Sequence, residues 1–414
     1  MIAVVDIGKT RSKLSLWAPD GTVVRQLDRG NPIGAGSPRQ LDVAGIGAWL
    51  KSALREVAST TEITAIVPVG HGAAGVLMDG DAPLAALDYE AAPPIEIAKT
   101  YGGLRDPFEA TLSPRLPGGL NLGAQLFWLE RLFPDVWPSR ANFLFWPQFW
   151  AWFLSGERAS ELTSLGCHSD LWRPSQRCFS DLAIARGWAE RLGPLRGAAD
   201  VLGPVRPALA DALGLRRDVH VHCGVHDSNA ALHGARGFPE LAGRPFAVVS
   251  TGTWFVCLAA GGAGQAAYDP AEDMLANVDV AGAPTPTARF MGGRDYGAWM
   301  GDALGASSDP DLLREAAALS DWRRAPGPLR ATRAALELAR RTDRTLGLIA
   351  AEGPILLEGR FAADPAFAVA LARLRPAQTI YRSVATDGVA WGAMRLASPL
   401  VTPAATLERL GGRA

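Results

Sequence analysis

Apolar and polar positions alternate in short blocks from the first residues of the chain. Ile2 to Val5 is a largely β-branched run closed by Asp6 and Gly8, and Lys13 to Trp17 sets Leu14 and Leu16 against Lys13 and Ser15. Two such runs around a glycine turn predict a β-hairpin. Val23 to Leu27 adds a third strand after the turn at Asp20-Gly21. Leu41, Ile46, Trp49, Leu50, Leu54 and Val57 then recur at helical spacing over residues 41–58. Thr64 to Val69 reads as a buried strand that runs into Gly70-His71-Gly72. Leu122 to Phe133 is helical up to Pro134, and the tryptophan-rich stretch from Trp137 to Leu154 adds Phe143, Phe145, Phe149 and Phe153. Val219 to Cys223 is another short strand. It leads through Gly224-Val225-His226-Asp227 into a small-residue helix, Ser228 to Gly234.

Gly237, Pro239, Gly243 and Pro245 break the pattern, so a domain boundary is expected near residues 235–245, giving domains 1–240 and 241–414. Past it the opening repeats. Ala247-Val248-Val249-Ser250-Thr251-Gly252-Thr253 can be laid on Ala3-Val4-Val5-Asp6-Ile7-Gly8-Lys9, and each block leads into an apolar second strand. Two strand, glycine-turn, strand openings about one domain apart imply a duplicated α/β domain.

The length of 414 residues suits two such domains. A net charge of −1 gives no electrostatic footprint for nucleic acid or an anionic membrane. No run of about 18 apolar residues marks a membrane span, and the N-terminus lacks the order of a signal peptide. Cys167, Cys178, Cys223 and Cys257 form no C-x-x-C pair, so reduced thiols in a cytoplasmic protein are expected.

The two repeated turns carry the chemistry. Glycine lets backbone N–H groups approach a phosphate, hydroxyls add donors, and a nearby acid can hold Mg²⁺ through water. Asp6-Ile7-Gly8-Lys9-Thr10, with Ser12 and Lys13 beyond, supplies all of these, and Ser250-Thr251-Gly252-Thr253 supplies a second donor-rich turn. Neither turn is a Walker A motif. Each alone reads as an ordinary hairpin; together, one per domain, they point to phosphate binding.

Four stretches in order resemble the FGGY family of carbohydrate kinases. Asp6 to Lys13 is similar to its first phosphate loop, D-x-G-T-[ST]-x-x-K. Gly224 to Ala231 resembles G-x-H-D-x-x-A-A, whose Asp is the family's catalytic base. Thr251-Gly252-Thr253 resembles the second phosphate loop, and Thr386 to Ala393 resembles the closing A-D-G-x-A-x-G-A. Gly156-Glu157 to Trp172 is similar to the passage that follows the sugar site. The resemblance implies duplicated actin-like ATPase domains of the ribonuclease H-like type, as in sugar kinases, Hsp70 and actin. It implies ATP and Mg²⁺ as cofactors, a small-molecule sugar as partner, and a ketose of the L-rhamnulose, L-fuculose or pentulose type as acceptor. Lys9 departs from the pattern, standing where the family has Thr and adding a cation near the expected γ-phosphate. The adenosine motif is reduced to Glu358-Gly359-Arg360. These departures keep a second reading open, a sugar- or nucleotide-binding degenerate kinase acting as a regulator.

By the resemblance, Asp227 is the general base and also touches the sugar; the plainer reading of an Asp opening a helix is an N-cap. Asp6 is the expected anchor for Mg²⁺. Gly8, Lys9, Thr10, Lys13, Thr251, Gly252 and Thr253 are expected on ATP phosphates, and Gly359 and Arg360 on adenosine. His71, Asp88, Trp146, Gln148 and His226 are the expected sugar contacts, although Asp88 and Glu90 also read as a solvated loop and the Trp/Phe stretch as core. The spacing of His220, His222 and His226 invites a zinc reading, but the first two share one face of a short strand, no cysteine pair or acidic fourth ligand is evident, and ordinary strand and loop histidines fit better. A homodimer stays open, since oligomeric state is not legible in the sequence.

Overall fold

The first strand explains the first unit. Ile2–Ile7 (β1) is buried along its whole length, and successive side chains point to opposite faces of a sheet. Ala3, Val5 and Ile7 join one core with Val43–Ala58 (α1) and Trp146–Ser155 (α2). Ile2 and Val4 join a second core on the other face, with Trp391 and Met394 from a helix near the C-terminus. A strand covered on both faces reads as a continuous apolar run, which is the pattern seen in the sequence.

The structure is a computed structural model that describes residues 1–32, 34, 36–262, 264, 266–383, 387–401 and 406–411. β1 pairs antiparallel with Arg11–Trp17 (β2), which pairs antiparallel with Val23–Gly30 (β3). On its other side β1 lies parallel to Ala65–Gly70 (β4). Val201–Pro204 (β5), His220–His222 (β6) and Val225–His226 (β7) complete the sheet, in the order β5-β6-β4-β1-β2-β3 with β7 also on β4. Asp227–Ala235 (α3) follows β7 directly.

In the second unit Phe246–Thr251 (β8) pairs antiparallel with Phe255–Ala260 (β9), which pairs antiparallel with Pro284–Phe290 (β10). The helix Gly327–Leu348 (α4) leads to Ile355–Gly359 (β11), parallel to β8. Pro365–Leu374 (α5) leads to Ile380–Ser383 (β12), parallel to β11. Gly388–Ala397 (α6) belongs to the first unit, and Leu407–Gly411 (β13) closes the second sheet antiparallel to β12. The path β10-β9-β8-β11-β12-β13 repeats the directions of β3-β2-β1-β4-β6-β5, so the duplicated opening reflects a duplicated sheet.

The first unit comprises residues 1–234, 276–284 and 387–404, and the second 235–275, 285–386 and 405–414. The first break falls at the start of the Gly/Pro segment at 235–245, while two later segments return to the first unit. The aromatic stretch divides into a strand, Ala141–Phe145, and the helix α2. Among the described residues no helix is long and apolar enough to cross a membrane.

Candidate active site

Asp6 lies on the same face of β1 as Ile2 and Val4, and the β1–β2 register sets it directly opposite Lys13. Lys13 Nζ stands 3.3 Å from Asp6 Oδ2 and also binds Asp387, the N-cap of α6. Burial pushes the Asp6 pKa up to about 6; Lys13 pulls it down, and the charges of Asp227 and Asp387 push it up again. Burial also opposes the charge on Lys13, but Asp6 and Asp387 outweigh it and raise the lysine's pKa. Two carboxylates thus share one ammonium, and the charge of a third, Asp227, acts on Asp6. The β1–β2 turn is tight, with Gly8 N donating to Arg11 O at 3.0 Å, so the Gly8 amide is committed inside the turn. Asn31 braces it by donating to Gly8 O at 2.7 Å, and Thr10 is exposed at its tip.

Asp227 begins α3. Ser228 N donates to its Oδ1 at 2.6 Å, Ser228 Oγ at 3.2 Å, and His226 Nε2 lies 3.1 Å from the same oxygen. Burial lowers the His226 pKa and keeps the ring neutral. Asn229 Nδ2, in its assigned amide orientation, donates to His226 Nδ1 at 3.0 Å, which leaves the ring proton on Nε2, facing Asp227. The His226 backbone N–H donates to Thr163 Oγ1, which itself donates to the fully buried Glu161. Every polar contact of the Asp227 side chain among the described residues falls on Oδ1, and Oδ2 is left as an acceptor. α3 is fixed against α6 at Gly392, where a Cβ would run into the Ala230 carbonyl, so the acids heading these two helices are set by one close crossing.

The expected sugar residues fall in the same unit. His71 Nδ1 lies 2.9 Å from Gly72 O, and burial lowers the ring's pKa. The neutral ring donates from Nδ1, so the buried Nε2 is a lone-pair acceptor without a partner among the described residues. The ring meets Tyr89 at 5.6 Å and Trp146 at 6.0 Å, and a Cβ at Gly72 would lie 2.9 Å from His226 Nε2. Asp88 is buried rather than solvated, and Arg39 Nε lies 2.9 Å from it. Lys9 Nζ sits 3.1 Å from Asp88, 2.5 Å from Glu90 and 4.1 Å from the Tyr89 ring centroid. The cation that departs from the family pattern is therefore tied to the acidic loop. Trp146 and Gln148 are fully buried behind these groups. Trp146 Nε1 donates to Ile7 O at 3.0 Å, and Gln148 Nε2 donates to Cys223 O at 3.1 Å, so α2 pins the ends of the strands that carry the acids.

In the second unit the β8–β9 turn is closed by Gly252 N donating to Trp254 O at 3.0 Å. Thr251 Oγ1 donates to Glu358 O at 2.6 Å and accepts from Phe361 N at 2.9 Å, which ties the turn to the end of β11. Gly359 has φ +82 and no room for a Cβ against Thr251, so only glycine fits. Arg360 packs over the rings of Phe361 and Tyr296, and Gly293 N donates to Thr253 O at 3.2 Å.

The closing stretch of the family resemblance contains Asp387 but marks no role for it, and the sequence marks none for Asn31, Asn229, Glu161 or Gly293. The Gly292-Gly293 pair after a strand was the one local signal for the last of these. Thr386, which opens the closing motif, lies outside the described residues. Among the described residues no three His, Cys, Asp or Glu side chains are grouped to hold a metal, His220, His222 and His226 included.

Two sheets of this repeated topology have the actin-like ATPase fold. The family model for the C-terminal domain of FGGY carbohydrate kinases matches residues 243–324 and 314–405. A carbohydrate kinase from Novosphingobium aromaticivorans is 40% identical, with a TM-score of 0.90 over 99% of this chain and 96% of that one. A xylulose kinase from Rhodospirillum rubrum is 17% identical, TM-score 0.77, covering 99% and 93%. Plasmodium falciparum glycerol kinase with ADP is 13% identical, TM-score 0.75, covering 96% and 89%. No match is found among curated proteins. The chain belongs to the FGGY family of carbohydrate kinases, enzymes that use ATP to phosphorylate an alcohol group of a sugar.

Proposed function

We propose that the chain transfers the γ-phosphoryl group of ATP to a hydroxyl of a ketose, of the L-rhamnulose or L-fuculose type or a pentulose, in the cytoplasm. The observation that carries this reading is Asp227, held through Oδ1 by His226 and Ser228 with Oδ2 available. The sugar O–H proton passes to Asp227 Oδ2, the hydroxyl oxygen bonds to the γ-phosphorus, and the bond to the β–γ bridging oxygen breaks to release ADP. His226 Nε2–H keeps Oδ1 occupied and fixes the carboxylate plane. Lys9, Arg39, Asp88 and Glu90 sum to zero charge, which suits hydroxyls over an acid sugar, and His71 Nε2 is ready to accept from one of them.

The negative charge of Asp6, Asp387 and Asp227, only partly offset by Lys13, suits a divalent cation held largely through water, with Asp6 as its anchor. Mg²⁺ there would neutralise charge on the phosphate oxygens. We assign the turn from Gly8 to Lys13, apart from the Lys9 side chain, and the turn Thr251 to Thr253 to the phosphates, and Gly359 and Arg360 to the adenosine side. Four cysteines, three of them buried and none in a disulfide among the described residues, are consistent with a reducing compartment.

Asp227→Asn keeps size and hydrogen bonding but removes proton acceptance. Its kcat on the best ketose of a panel, read as ADP release, is expected to fall about 10²–10⁴-fold with sugar affinity little changed. Near-full turnover would refute the assignment, and no ketose-dependent ADP from the unsubstituted protein would refute the acceptor class.

A further inference from the structure

At the far end of α2 from the candidate active site, a cavity of about 650 Å³ opens between α1, the end of α2 and the segment 206–213. Its lining includes Lys51, Arg55, Arg206, Trp152, Phe153 and Leu209, and no carboxylate. In a chain of net charge −1 this is a local concentration of positive charge.

None of the three cations has a carboxylate partner among the described residues. Arg55 gives Nε and Nη2 to Ala212 O, at 3.2 and 3.1 Å, which leaves Nη1. Arg206 gives Nη2 to Trp152 O at 2.8 Å and lies over the Trp152 ring at 4.6 Å. Lys51 stands over the Phe153 ring at 5.3 Å, one helical turn before Arg55 on α1. The backbone contacts and rings hold the cations in place without neutralising them. Three cations with donors to spare match an anion with several acceptor oxygens and a charge near −2, and the Trp152–Phe153–Leu209 wall matches an apolar plane beside it.

We propose that this cavity binds a small phosphate monoester carrying a planar apolar group, at a site separate from the phosphate turns. The site sits on the helix whose first turn holds Ile7 and Cys223, so its ligand contacts the element that supports the strand ends.

Phenyl phosphate is the probe, titrated calorimetrically at low ionic strength into the full chain and into a Lys51→Gln/Arg55→Gln variant. Both substituted residues are exposed and lie outside the catalytic machinery, so unchanged sugar phosphorylation certifies the fold. Binding is expected to weaken about tenfold in the variant, as befits two partly exposed charge contacts. Lys51→Glu alone is expected to do the same, and inorganic phosphate is expected to bind the unsubstituted chain several-fold more weakly than phenyl phosphate. Binding at the phosphate turns would survive in both variants. Equal affinity in variant and unsubstituted chain, or no binding of phenyl phosphate at all, overturns the proposal.

Discussion

Replacing Asp6 by Asn is expected to make the protein more stable and less active. In the fold the Asp6 pKa rises from 3.8 to about 6, first because the side chain is buried and then because Asp227 and Asp387 repel its charge beyond what Lys13 offsets. Between those two values the folded state holds a proton that the unfolded chain has released, so stability falls as pH rises through that window. At pH 7.5 the ionised, buried carboxylate costs about 3 kcal/mol, and at pH 5 roughly half of that. Asn carries no charge at either pH.

Asp6→Asn is therefore expected to gain up to about 3 kcal/mol at pH 7.5 and roughly half that at pH 5. At about 2–4 °C per kcal/mol, this is a rise of roughly 6–12 °C in Tm near neutral pH. Scanning calorimetry at the two pH values reads both the gain and its shrinkage. Phosphoryl transfer is expected to fall by about 10²-fold in the same variant, since the acid we assign to Mg²⁺ is lost. A variant less stable than the parent at pH 7.5, or a gain identical at both pH values, would show that Asp6 is not held ionised against its surroundings.

Lys9→Met leaves the buried Asp88 with Arg39 alone, and is expected to cost about 1–2 kcal/mol in denaturant unfolding and to raise sugar KM more than it lowers kcat; a kcat loss with KM unchanged would return Lys9 to the phosphate. Burial raises the Glu161 pKa from 4.5 to about 7 against the pull of the Thr163 hydroxyl and two amides, so stability drops by roughly 3 kcal/mol as pH rises across that interval. Glu161→Gln is expected to flatten this drop in urea titrations at several pH values, and an unchanged slope would refute it. Gly392→Ala forces a methyl into the Ala230 carbonyl and is expected to cost about 3 kcal/mol or more; a Tm within about a degree of the parent would mean the α3–α6 crossing is not tight.

The hairpins and their repetition were legible because a strand covered on both faces must be apolar at consecutive positions, and β1 and β8 both are. Asp227 was legible only through its motif, since its local setting, an acid at the head of a short helix, is equally that of an N-cap. The aromatic stretch hid a change from strand to helix at Trp146, because a segment apolar all round shows neither period. Asp387 illustrates the harder limit. It meets Lys13 across 374 positions, and nothing near it separates an ion-pair partner from an ordinary helix cap.

Lys9 carries the argument furthest. Placed in a phosphate-like turn, a lysine suggests an extra grip on phosphate, and the sequence alone offers no competing anion. In the fold the loop after Ala85 brings Asp88, Tyr89 and Glu90 onto its ammonium, and Arg39 completes a neutral cluster. The charge is absorbed where we place the sugar, which removes the main local reason to treat the substitution as a loss of function. A lysine held by two carboxylates and a ring can still lend hydrogens to a hydroxyl, whereas moving toward a phosphate would leave buried Asp88 with one cation fewer. The departure from the family pattern is thus better explained as acceptor recognition than as degeneration of the ATP site.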